Sequence, residues 1–149
     1  MLPNLDGEAA ASAEQRLRDE TIIWLTTVRP DGQPQTSPVG YVWDGTTFLI
    51  ISNPAAPKIR NLRGNPKVTL HLDLDLDREA ERFSVLTVEG VAELEPAPPG
   101  GSAPLSEQEV SAYLDKHLES MRWAGLTPEE TFADFSTAVR VKPIRARCY

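Results

Sequence analysis

A mainly β, α+β fold is what this sequence predicts: six antiparallel strands curled into a small barrel, with helices flanking it. Three observations carry the prediction. Six segments are rich in β-branched and aromatic residues or alternate apolar with polar positions. Turn pairs such as Asp31-Gly32 and Asp44-Gly45 join several of them as hairpins. The helical segments stand at the start, after the third strand and before the sixth, not between every pair of strands, which disfavours a doubly wound parallel sheet. No G-x-G-x-x-G follows any strand, so the usual nicotinamide site is missing too.

In order, Ser12 and Gln15 stand at capping-box spacing among Ala, Glu, Gln, Leu and Arg, which predicts a short helix over 12–20. The stretch 21–29 (TIIWLTTVR) reads as a strand ended by Pro30-Asp31-Gly32, and 35–43 (QTSPVGYVW) as a second strand broken in character by Pro38 and Gly40. Asp44-Gly45 turns the chain into 47–52 (TFLIIS), and the three strands are expected to form a meander. Two prolines then precede KIRNLRGNP, a helix of about two turns that Gly64 is expected to end in the left-handed conformation. From Lys67 onward, Val68, Leu70, Leu72, Leu74 and Leu76 alternate with polar residues, the period of a half-buried strand. The charged run 73–82 reads as a solvated loop or strand extension, and 83–94 as the fifth strand, forming a hairpin with the fourth.

The Pro- and Gly-rich stretch 95–106 is a surface connection. Ser106 and Glu109 form a capping box before an apolar stripe of Val110, Tyr113, Leu114, His117, Leu118 and Met121. Thr127-Pro128 starts another helix, and 138–148 closes the fold as a strand.

A chain of 149 residues, 40% hydrophobic and 25% charged, fits one domain (1–149) whose core needs neither disulfide nor metal. Fifteen basic against 22 acidic residues give a net charge of −7, and the pI is near 4.8, which argues against coating nucleic acid or an anionic membrane through bulk charge. No apolar run approaches a membrane span, and Asp6 and Glu8 stand where a signal peptide would be basic and then apolar. A soluble, cytoplasmic protein is expected, in keeping with a single cysteine, Cys148.

Positive charge is segregated. Residues 45–72 hold Lys58, Arg60, Arg63 and Lys67 with no acid, and residues 135–149 hold Arg140, Lys142, Arg145 and Arg147 with none. Lys58 falls in the first turn of the short helix, where free N–H groups and the helix dipole already favour an anion. Phosphate is the natural ligand there. A solvated face paired with the many acids is the competing reading of such a cluster.

The ordered strings TTVRPDGQPQTSPVGYVWDG, LIISN and PKIRNLRGNPKVTL resemble the pyridoxamine 5'-phosphate oxidase-like split-barrel flavoproteins. More narrowly, they resemble the branch that uses the deazaflavin coenzyme F420. The resemblance runs from about Thr21 to Leu94 and resumes weakly at the last strand; K-x-R-N-L-R-x-N-P is its most specific part. It implies a split β-barrel of the FMN-binding type, and a homodimer with two cofactors in clefts between subunits. It also implies an oxidoreductase that moves a hydride to or from a small organic substrate. Gln35, Thr36, Ser37, Pro38 and Val39 would then run beside the ring and its ribityl chain, with Ile51, Ser52 and Asn53 along the other side. Lys58 would hold the phosphate, with Asn61 one helical turn on and Arg60 nearby. Ala55, Ala56 and Pro57 stand where relatives often carry a second basic residue.

The family's fold also hosts non-catalytic modules that bind FMN, haem or another anionic ligand, and FMN-dependent oxidases. Among the remaining residues, His71 sits at a polar position of the fourth strand, from which it could reach a cofactor or substrate, although a lone strand histidine is more commonly solvated or hydrogen-bonded. His117 reads as a packed core histidine. Two histidines without a cysteine cluster argue against a metal site. Trp24, Trp43 and Trp123 read as core or interface residues, with Trp43 the candidate exception that lines the cofactor. No Ser/His/Asp constellation can be assigned, and the catalytic residues stay unassigned.

Overall fold

The computed structural model describes residues 1–77 and 82–149. Helix α1 (Gly7–Asp19) leads into strands β1 (Ile22–Val28), β2 (Pro34–Gly40), β3 (Val42–Trp43) and β4 (Phe48–Ser52). Helix α2 (Pro57–Gly64), β5 (Lys67–His71), the short β6 (Asp75–Asp77) and β7 (Arg82–Ser84), and the long β8 (Leu86–Pro96) follow. Helices α3 (Glu107–Trp123) and α4 (Pro128–Asp134) precede the closing β9 (Thr137–Cys148).

The main sheet has seven strands in the order β2-β1-β5-β8-β9-β4-β3, every adjacent pair antiparallel, and it curls into a half-barrel. Six strands are expected from the sequence; the seventh arises because the predicted second strand is split at Tyr41. Its halves, β2 and β3, lie at opposite ends of the sheet, so the expected three-strand meander is two separate hairpins. Tyr41 is fully buried at this break, and its hydroxyl donates to the Leu17 carbonyl at 2.9 Å, tying the seam to the end of α1.

Three further expectations need correction. Helix α1 begins at Gly7, not Ser12, because the run of alanines upstream of Ser12 favours helix; Asp6 is the N-cap residue. Gly64 lies inside α2 with a negative φ, and Asn65, in extended backbone, ends the helix. Of the alternating leucines, only those in or beside β5 are buried: Leu70 and Leu72 are enclosed, whereas Leu74 is 54% and Leu76 59% exposed. The alternation continues in sequence, but after His71 the chain leaves the main sheet, and among the described residues β6 pairs only with β7. The predicted loop at 73–82 falls partly outside the described residues.

Barrel-facing side chains of β1, β4, β5, β8 and β9 pack with Ala13 and Leu17 of α1 and Ile59 and Leu62 of α2 into one core. Strand β4 is buried along its whole length, which explains its unbroken apolar run. Phe48 and Ile50 join the barrel core, while Ile51 packs with Tyr113, Met121 and Phe132 beneath α3 and α4. The predicted capping box of α3 is present, with Ser106 and Glu109 bonding each other's backbone. At the bulge beside Gly90, a Cβ would lie 2.7 Å from Val141 Cγ1 and 2.9 Å from the Lys142 carbonyl, so only glycine lets β8 and β9 close together there.

Candidate functional site

The turn from β4 into α2 is built by Asn53. Its side-chain Oδ1 accepts from the Ala55 N–H at 2.8 Å, and its carbonyl accepts from the Ala56 N–H at 3.0 Å. Pro57 then occupies the first helical position, where it needs no N–H partner, and Lys58 follows in the first turn.

Lys58 opens onto a cleft of about 290 Å³. One wall is β2 at Pro38, Val39 and Gly40; the floor is β4 at Ile51 and Ser52 with Asn53 beyond it; and Tyr113, Thr131 and Phe135 form the roof. Lys58 is partly buried, and among the described residues it has no carboxylate partner. Burial moves its pKa below the usual lysine range. A desolvated ammonium at a helix N-terminus, unpaired by any described carboxylate, is a favourable place for a phosphate group.

Six of the predicted site residues therefore line one cleft: Pro38, Val39, Ile51, Ser52, Asn53 and Lys58. Gln35 and Asn61 are joined instead by a hydrogen bond. The Asn61 amide is 1% exposed and donates to Gln35 Oε1 at 2.8 Å and to Thr27 Oγ1 at 3.0 Å, which fixes β2 and β1 against α2. Its Oδ1 is buried with no hydrogen-bond partner among the described residues. Thr36 and Ser37 lie on β2 and Arg60 is exposed on α2, all outside the cleft lining.

Trp43 is a core residue and does not line the Lys58 cleft. Its ring lies 4.4 Å from that of Phe48, and its Nε1 donates to Glu14 at 2.6 Å. Trp24 stands on the sheet's outer face beside His71, with ring centroids 6.2 Å apart, and donates to Asp73 Oδ1 at 2.7 Å. Trp123 is 91% exposed at the end of α3. His117 is buried, as expected, with Nε2 2.8 Å from the Tyr41 carbonyl. The roof residues Tyr113, Thr131 and Phe135 were not legible as site residues, because in sequence Tyr113 belongs to an apolar helical stripe that reads as core.

The chain matches the pyridoxamine 5'-phosphate oxidase family over residues 9–141. Its fold is similar to that of an F420 reductase, at 26% identity over 90% of this chain and 94% of that one, with a TM-score of 0.63. It is also similar to the haem storage protein of Vibrio cholerae, at 19% identity over 96% and 94% of the two chains and a TM-score of 0.67. A FAD-binding protein from Mesorhizobium loti gives 17% identity over 93% and 90% and a TM-score of 0.67. The last two bear on the fold alone. Among the described residues, no helix is long and apolar enough to cross a membrane.

Proposed function

Because the chain belongs to the pyridoxamine 5'-phosphate oxidase family, we propose that it is an oxidoreductase that binds coenzyme F420 and uses it on a small organic substrate. The observation that carries this reading is Lys58, a partly buried ammonium at the N-terminus of α2 that opens onto a cleft edged by β2 and β4. Similarity to an F420 reductase supports the deazaflavin over other flavin-type cofactors.

Bound there, a deazaflavin supplies hydride chemistry; the protein supplies position and exclusion of water. Lys58 holds the phosphate, with Arg60 adding positive potential from the exposed side of α2. Ile51, Ser52 and Asn53 form one edge of the site. Pro38 and Val39 form the other, and the Asn61–Gln35 bond holds the start of β2 in register with α2. Asn61 thus acts as a positioning residue.

Fluorescence titration with F420 and FMN tests the assignment. F420 is expected to bind more tightly, and FMN binding tenfold more tightly, a difference of about 1.4 kcal/mol, would reverse it.

The same reading calls for a homodimer. A cleft of about 290 Å³ is at the small end of ligand pockets, roughly 300–1,000 Å³, so one subunit encloses only part of a tricyclic ring with its side chain. A second copy completes the enclosure and covers sheet surface that bears Ile22 and Ile144, both exposed in the single chain. Sedimentation at micromolar concentration should give twice the 16.4 kDa chain mass; a single species at the chain mass rules the dimer out.

A further inference from the structure

The geometry points to the Tyr113 hydroxyl as a specificity-determining hydrogen-bond donor in this cleft. It would grip an uncharged acceptor, a hydroxyl or carbonyl oxygen, on a ligand whose anionic group is held by Lys58. The inference rests on the reading of the cleft as the ligand site and adds what its roof does there.

Tyr113 is 7% exposed and lines the cleft, yet its hydroxyl bonds to no described residue. The other buried tyrosine, Tyr41, donates to a backbone carbonyl. Buried phenol hydroxyls ordinarily find a partner. The Tyr113 oxygen is not among the enclosed atoms left without a partner, so it opens onto the cleft, where a ligand acceptor would displace water from it.

The donor is held in place. Its ring lies 4.5 Å from the His117 ring and edge-on to Phe132 at 5.8 Å. Beneath it, a Cβ on Gly40 would come within 3.3 Å of Tyr113 Oη and 3.2 Å of His117 Cε1, so the absence of a side chain at 40 lets the hydroxyl sit close over β2. Burial pushes the phenol up to about 12, which keeps it protonated and neutral throughout the physiological range.

An ammonium and a fixed neutral donor in one cleft select a ligand that combines an anionic group with a polar, uncharged portion. A phosphorylated polyol carrying a ring has this chemistry; a bare anion does not. A site built around a hydrogen bond discriminates strongly against ligands that leave it unmade.

Tyr113→Phe removes the hydroxyl and keeps the ring packing. Titrating wild type and variant with F420, with FMN and with inorganic phosphate, the last by competition, gives the test. The variant is expected to bind its cofactor roughly 5–15-fold more weakly, with unchanged phosphate affinity and an unchanged melting temperature. Cofactor affinity within twofold of wild type overturns the inference, as does an equal loss for cofactor and phosphate, which would place the effect at Lys58 or in the fold. If FMN proves the tighter ligand and the selective loss is still seen, the deazaflavin assignment falls and the role of Tyr113 stands. Binding of none of the three to wild type overturns both.

Discussion

Lys58→Ala should weaken cofactor binding roughly 10–150-fold, the effect of losing a charge-assisted hydrogen bond of about 1.5–3 kcal/mol. The melting temperature should hold, because Lys58 makes no ion pair with a described residue. Arg63→Ala is the matched control. Arg63 is exposed in the last turn of the same helix, where the dipole already favours a cation, and its loss should cost much less. If the basic residues only solvate a surface, both variants lose less than about threefold and the difference fades with salt. The pH dependence has a definite sign. Burial lowers the Lys58 pKa, so its ammonium is lost at a lower pH than that of a free lysine near 10.4. The wild-type advantage over Lys58→Ala should hold at neutrality and shrink on the alkaline side, before an ordinary lysine would titrate.

Phe48→Ala should destabilise the fold by about 3–5 kcal/mol, the usual range for emptying a large aromatic site in a core. Phe48 is completely enclosed, with its ring 4.4 Å from Trp43 and 6.1 Å from Tyr41, and its backbone sits in β4 between β3 and β9. Strands on both sides hold the cavity open, which limits relaxation. At about 2–4 °C per kcal/mol for a chain of this size, the melting temperature should fall by roughly 6–20 °C. Leu74→Ala, at a position equally apolar in sequence but exposed, should stay within about 0.5 kcal/mol. Denaturant unfolding of the two variants checks both values, and a loss below about 2 kcal/mol at Phe48 would contradict the packing described.

That contrast marks how far the sequence is legible. Hairpin turns, both capped helices before β9 and the strand character of β1, β4, β5 and β8 follow from local rules: turn residues, capping spacing and periodicity. The sheet order does not, because the break at Tyr41 that sends β2 and β3 to opposite ends is a tertiary event with only a weak local mark. The Leu74 and Leu76 alternation misleads for the same reason: period two shows that a segment can be half-buried, not that a sheet is there to bury it. At the site, Lys58 was legible from the helix start and the charge segregation around it. Tyr113 was not, since a tyrosine on an apolar stripe packs its ring identically whether or not its hydroxyl faces a cleft.

The place of β9 in the sheet bears on how the protein is made. Among the described residues it is the only strand that joins β8 to β4, so β2-β1-β5-β8 and β3-β4 belong to separate pieces until residues 137–148 arrive. During synthesis the earlier strands would therefore wait with unpaired edges and an unfilled interior, and the last steps of folding would be governed by contacts between residues far apart along the chain. Chaperone dependence should accordingly concentrate in the interval before that segment emerges.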